Sequence, residues 1–150
     1  MKLNDKERDA LEFCVSCHAT QLDKQGKPYF LHPIRVAMSL FIGTSQCMFI
    51  TALLHDVVED CSVPLEEIEK RYGEQVAVAV DCLSRRIGET YKDYILRCKG
   101  NTLARRVKLA DIEDNLLPER IGSLDPKEAE SLRKRYTKAK VILGAGIEED

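Results

Sequence analysis

The chain has 150 residues, of which 44% are hydrophobic and 32% charged, with a formal net charge of −2. That length is the usual size of one domain with its own core, and no apolar run is long enough to span a bilayer, which excludes a helical membrane protein. The near-neutral charge gives no global field for nucleic acid, so a polyanionic ligand must be met by a local cluster of cations.

The opening residues, MKLNDKERDA, are charged and carry no hydrophobic signal region with a cleavage site, so a cytoplasmic protein is expected. Thiols stay reduced in that compartment. The six cysteines, Cys14, Cys17, Cys47, Cys61, Cys82 and Cys98, are irregularly spaced. With no second CxxC to complete a structural zinc site, most of them read as small buried hydrophobes.

Asn4 and Glu7 form a capping-box pattern, after which Leu11, Cys14, His18 and Leu22 recur at helical spacing and predict an amphipathic helix. Inside it, CVSCH (Cys14 to His18) has the form of a c-type haem attachment site. Without a secretion signal or a second axial ligand, it reads as core packing. QGKPYFLHP closes this helix, and Pro33 suits the first turn of the next, which continues through IRVAMSLFI. From about Gln46 to Asp60, the apolar run CMFITALL leads into HDVVED, the pattern of a buried helix whose far end emerges at a site. Pro64 begins LEEIEKRY, which Gly73 stops, and EQVAVAVDCLSRR is a further apolar helix. YKDYILRC and TLARRVKLADIEDNL follow, and Asp125, Pro126 and Glu128 open a long terminal helix with a capping box.

No strand, repeat or linker stands out, so the fold class is all-α in a single domain. The terminal helix carries the basic run RKRYTKAK. These charges complement the negative end of the helix dipole, and acidic residues lie just upstream and at the chain's end, so the run reads as a solvated or subunit-facing surface. No nucleic-acid or membrane partner is expected, and an oligomer is left open.

The chemistry concentrates on the three histidines, His18, His32 and His55. On one helix, His55 and Glu59 are four apart, as are Asp56 and Asp60, so four polar groups crowd one end of an apolar helix. Like charges packed there repel, and a divalent cation relieves the repulsion while using the imidazole. His32 is a candidate second imidazole. Asp111 is a further carboxylate candidate, because Val107, Leu109 and Ala110 imply burial close to it. Two imidazoles with several carboxylates suit manganese, iron or zinc and leave positions open for water or a phosphate oxygen.

HxxQ at His18 to Gln21, GKPYFLHPIRVA at Gly26 to Ala37, ALLHDVVED at Ala52 to Asp60, LEEIEKRYG at Leu65 to Gly73 and VKLADIEDN at Val107 to Asn115 occur in that order over about two thirds of the chain. Together they resemble the HD-domain phosphohydrolases, and more narrowly the hydrolase domain of RelA/SpoT proteins and the small stand-alone alarmone hydrolases. The resemblance implies a helical HD-domain bundle over residues 1–150, with its core at about 4–117, a C-terminal helix at about 125–143 and no synthetase domain. It implies one divalent metal between the helices, usually Mn2+ with Fe2+ or Zn2+ as further candidates, held by His32, His55, Asp56 and Asp111. Glu59 and Asp60 then orient and deprotonate the attacking water. Lys24, Asn115 and His18 face the substrate, a nucleotide of the (p)ppGpp type from which pyrophosphate is removed at the ribose 3′ position.

Two departures bear on the base. Asp23 stands where the alarmone hydrolases place an arginine that stacks on guanine, and LLPERIG, with Pro118, follows Asn115 where their pattern reads MRTL. The middle segment, from Ser84 to Asn115, is more like a branch of small bacterial and phage HD proteins, and its Arg85, Arg86 and Lys92 form either a phosphate-binding cluster or an exposed charged turn. Two alternatives therefore stand beside alarmone hydrolysis: a phosphohydrolase of another nucleotide or phosphate ester, and a non-catalytic, metal-bound nucleotide sensor.

Overall fold

A computed structural model describes residues 2–144. Its order is α1 (Asp5–Cys17), α2 (Leu31–Ser39), α3 (Gln46–Leu54), α4 (Val57–Cys61), α5 (Leu65–Tyr72), α6 (Glu74–Cys82), α7 (Tyr91–Lys99), α8 (Thr102–Asn115), α9 (Pro118–Ile121) and α10 (Pro126–Leu143). The all-α expectation is met: among the described residues the one β feature is an isolated bridge between Leu22 and Pro28. No helix there is long and apolar enough to cross a membrane. The acidic end, Glu148, Glu149 and Asp150, lies outside the described residues.

Helix α3 is the axis of the fold. Every residue from Met48 to Leu54 is buried, as expected of a helix that is apolar all round, and it packs against α1, α2, α6 and α8. Ser45 starts it by accepting the Met48 amide N–H. Leu53 is 1% exposed within this packing. Leu53→Ala is expected to cost about 2–5 kcal/mol, read as a lowered urea midpoint with an unchanged slope.

Three local expectations are corrected. The helix read through to Asp60 breaks at His55 and Asp56, so the acidic cluster sits on α4, and the left-handed Ser62 (φ 57°) ends that short helix. The break matters for placement: the Asp60 amide still bonds the Asp56 carbonyl at 2.9 Å, but His55 and Asp56 themselves lie at a corner between two helices. The first helix likewise ends at His18, which caps it, and Leu22 lies beyond it, 63% exposed. Asn4 and Glu7 do form the reciprocal capping box. At α10, Asp125 accepts the Lys127 and Glu128 N–H groups, but Glu128 does not close a box; its carboxylate pairs with Lys24.

Helices α5 and α6 are separated by one residue, Gly73, at φ 97°. Such a backbone favours glycine, which has no Cβ to clash. The sharp turn lets α5 lie against α6 and sends α6 back along α3.

Candidate metal centre

The corner between α3 and α4 aims His55 inward. Its Nδ1 donates to the Ala52 carbonyl at 2.6 Å; a carbonyl only accepts, so this nitrogen carries the hydrogen and Nε2 keeps its lone pair. Nε2 is buried with no hydrogen-bond partner, 3.1 Å from Asp56 Oδ2 and 3.4 Å from Asp111 Oδ1. A lone pair facing two carboxylate oxygens is repulsive unless a cation lies among them.

His32, from the first turn of α2, repeats the arrangement. Its Nδ1 is 2.6 Å from Asp114 Oδ2 and its Nε2 2.8 Å from Asp111 Oδ1. With the Nδ1 hydrogen given to Asp114, the second lone pair also faces Asp111, the carboxylate–histidine pairing that typically orients metal ligands. Ligand atoms of His32, His55 and Asp111, all buried, lie within 4.8 Å of one another. Asp56 is at the edge of the group, its Oδ2 4.0 Å from His32 Nε2 and held by the Tyr29 hydroxyl at 2.5 Å. The orphaned His55 nitrogen and the nitrogen–oxygen donor set fit one divalent cation.

The charges agree with this fit. Burial alone would raise the Asp111 carboxyl, but the buried Lys108 ammonium, 2.7 Å away, and the two imidazoles hold it well below the usual carboxylate range. Burial opposes protonation of His55, yet the Asp56 and Asp111 charges hold its pKa well above the usual imidazole range. Glu59 and Asp60 are solvent-exposed on α4, and partial desolvation, reinforced by the Asp56 charge, raises both carboxyls.

Glu59 Oε1 accepts the Arg85 amide N–H at 2.7 Å, and Asp60 accepts from Gln21 Nε2 at 3.2 Å. Gln21 in turn meets His18 Nδ1 at 2.8 Å. His18 is fully buried and reaches the centre through Gln21 and Asp60. Cys14 packs in the core, and Cys61 Sγ lies 3.4 Å from His18 Nδ1, so the CVSCH segment is spent on packing and on this chain of contacts.

Beside the centre is a cleft of about 310 Å³ whose lining includes Gln21, Asp23, Lys24, Tyr29, Asn115 and Arg120. Asn115 is oriented between the centre and the cleft: its amide nitrogen donates to Asp111 Oδ1 at 3.3 Å and its oxygen accepts from Arg120 Nη1 at 2.7 Å. Asp23 is turned into its own loop, accepting the Gln25 and Lys27 N–H groups at 2.9 Å each. Arg85 and Arg86 are engaged by Glu89 and Asp81, while Lys92 lines a different groove between α7 and α10.

Sequence reasoning passed over Lys108, Asp114, Tyr29 and Arg120. The first two had a signal, since Lys108, Asp111 and Asp114 recur every three residues and share a face of α8. Arg120 had none: it lies on α9, a single turn after a break, and reaches back to Asp114 at 2.9 Å.

Comparison with known proteins gives a consistent picture. A family model described as HD domain matches residues 10–91, a span holding His32, His55, Asp56, Glu59 and Asp60 but not Asp111. The chain is 37% identical over 117 residues to a guanosine-3′,5′-bis(diphosphate) 3′-pyrophosphohydrolase of Aquifex aeolicus, covering 71% of this chain and 17% of that protein. It is 31% identical over 135 residues to a probable GTP pyrophosphokinase of Mycobacterium leprae, covering 85% of this chain and again 17% of that protein. It thus spans about a sixth of the length of these curated relatives. A solved structure, described as a metazoan ortholog of SpoT that hydrolyzes ppGpp and plays a role in starvation responses, superposes with a TM-score of 0.81 at 25% identity over 97% of this chain and 89% of that one.

Proposed function

The chain belongs to the HD-domain family, and from that premise we propose that it is a cytoplasmic, metal-dependent phosphohydrolase that removes pyrophosphate from the 3′ position of guanosine 3′,5′-bis(diphosphate). The observation that carries the reading is the convergence of the His32, His55 and Asp111 ligand atoms next to a cleft large enough to take a nucleotide. The activities ascribed to the Aquifex relative and to the SpoT ortholog supply the substrate. Residues 1–150 form the hydrolase domain.

His32, His55, Asp56 and Asp111 hold one divalent ion, Mn2+ by preference, which when bound acidifies water and stabilises charge on phosphate oxygens. Glu59 and Asp60 flank the attacking water. Their raised carboxyls are better bases than ordinary surface carboxylates, the property required of a group that takes a proton near neutral pH. The water oxygen forms a bond to the phosphorus nearest the sugar as its proton passes to a carboxylate, the bond from phosphorus to the 3′ oxygen breaks, and that oxygen takes the proton back from the carboxylate. Pyrophosphate leaves, and the ribose keeps a 3′-hydroxyl. Tyr29, whose phenol is held far above its usual range by burial and by Asp56, stays protonated and keeps Asp56 in place. Lys24 and Asn115 contact the nucleotide from the cleft, and His18 fixes Asp60 through Gln21.

The test is pyrophosphate release from ppGpp with added Mn2+, beside GTP, ATP and other nucleotides, with Asp56→Ala as control. Metal-dependent release from ppGpp that Asp56→Ala abolishes is the expected result. Turnover confined to another nucleotide would retain the hydrolase and discard the alarmone. Metal bound with no turnover of any compound would make the chain a sensor.

A further inference from the structure

The cleft has two cations in its lining, Lys24 and Arg120, and each is already paired with an acid. Arg120 is committed to Asp114 at 2.9 Å and to Asn115 at 2.7 Å, both of which support the metal centre. Lys24 is held differently. Its Nζ donates to Glu128 Oε1 at 2.5 Å across 104 residues of chain, and the two side chains are 61% and 45% exposed. One residue on, Gln25 Nε2 donates to the Arg120 carbonyl at 2.8 Å and to the Ser123 hydroxyl at 2.9 Å. The loop between α1 and α2 is therefore clasped to the segment running from Arg120 to the start of α10. Glu128 forgoes the reciprocal half of its own capping box to make this contact.

We propose that Glu128 is a specificity-determining residue that engages Lys24 at the cleft and that a phosphate-bearing ligand must displace it to bind. This rests on the reading of the cleft as a nucleotide site. An exposed ion pair is worth little, so a polyphosphate with several negative charges wins Lys24 from a single carboxylate, whereas a weakly charged ligand does not. A buried partner such as Asp114 could not be displaced in this way without disturbing His32, which leaves Lys24 as the releasable cation of the pair. Glu128 thus weakens the binding of anions that must take Lys24 from it, and most of those too weakly charged to displace it.

The experiment is calorimetric titration of ppGpp, and separately of inorganic pyrophosphate, into the metal-loaded full chain carrying Glu59→Gln to remove turnover, with Glu128→Gln, Lys24→Gln and the double substitution added to it. Glu128→Gln is expected to tighten both ligands by about threefold, the size of an exposed ion pair. Lys24→Gln weakens them, and the double substitution binds more tightly than Lys24→Gln by less than that factor, because the competitor has lost its partner. Equal affinity with and without Glu128→Gln, or effects that simply add, would overturn the clasp. If ppGpp fails to bind while pyrophosphate keeps this order, the alarmone reading falls and the clasp survives.

Discussion

Asp111→Ala is expected to lose the metal and several kcal/mol of stability together. Asp111 lies close to both imidazoles, at 2.8 Å and 3.4 Å, and it is also the ion-pair partner of Lys108 at 2.7 Å. Removing it strands a buried ammonium that lies 5.1 Å from the centre of the Tyr94 ring. Breaking a buried pair from one side costs about 3–5 kcal/mol. The two losses separate by a second substitution: Lys108→Met on the Asp111→Ala background removes the stranded charge, so the urea midpoint recovers while metal content and turnover do not. Recovery of metal along with stability would show that Asp111 acts on the fold alone.

Glu59→Gln is expected to lower kcat by about 10²–10⁴, the usual contribution of a positioned base, with metal content retained. The amide is the informative replacement because its oxygen can still accept the Arg85 N–H that Glu59 takes at 2.7 Å, so the loop between α6 and α7 keeps its anchor. A fall in kcat without a matching change in KM then reports a lost proton acceptor. A change in KM alone would make Glu59 a loop anchor and pass the base role to Asp60.

Much of the fold was legible because its signals are local. The Asn4 and Glu7 box, the buried run Met48 to Leu54 and the stop at Gly73 are each set by a few neighbouring residues. The residue types of the centre were legible as well, since a histidine and acids at an apolar helix end are costly without a cation. What escaped was long-range. The break at His55 turns its Nε2 toward Asp111 on α8, far along the chain. Glu128 could be read as a cap from its spacing to Asp125, but no local rule shows a lysine 104 residues earlier competing for it. Asp23, read as a departure in base recognition, is occupied by its own turn, a role any Asx-turn residue can take.

The set of charges around the centre has a final consequence. Asp56, Glu59, Asp60, Asp111 and Asp114 supply negative charge, against which stand Arg35, Lys108 and Arg120. With neutral imidazoles and all the carboxylates ionised, the deficit is that of one divalent ion, so a loaded centre is electroneutral. It then exerts no net long-range pull on a polyanion. Capture becomes the business of the rim, whose field is screened by salt, while bond breaking proceeds at an inner site that salt hardly reaches. Ionic strength therefore divides the two halves of the work between different residues: the encounter at Lys24, the chemistry at α3, α4 and α8.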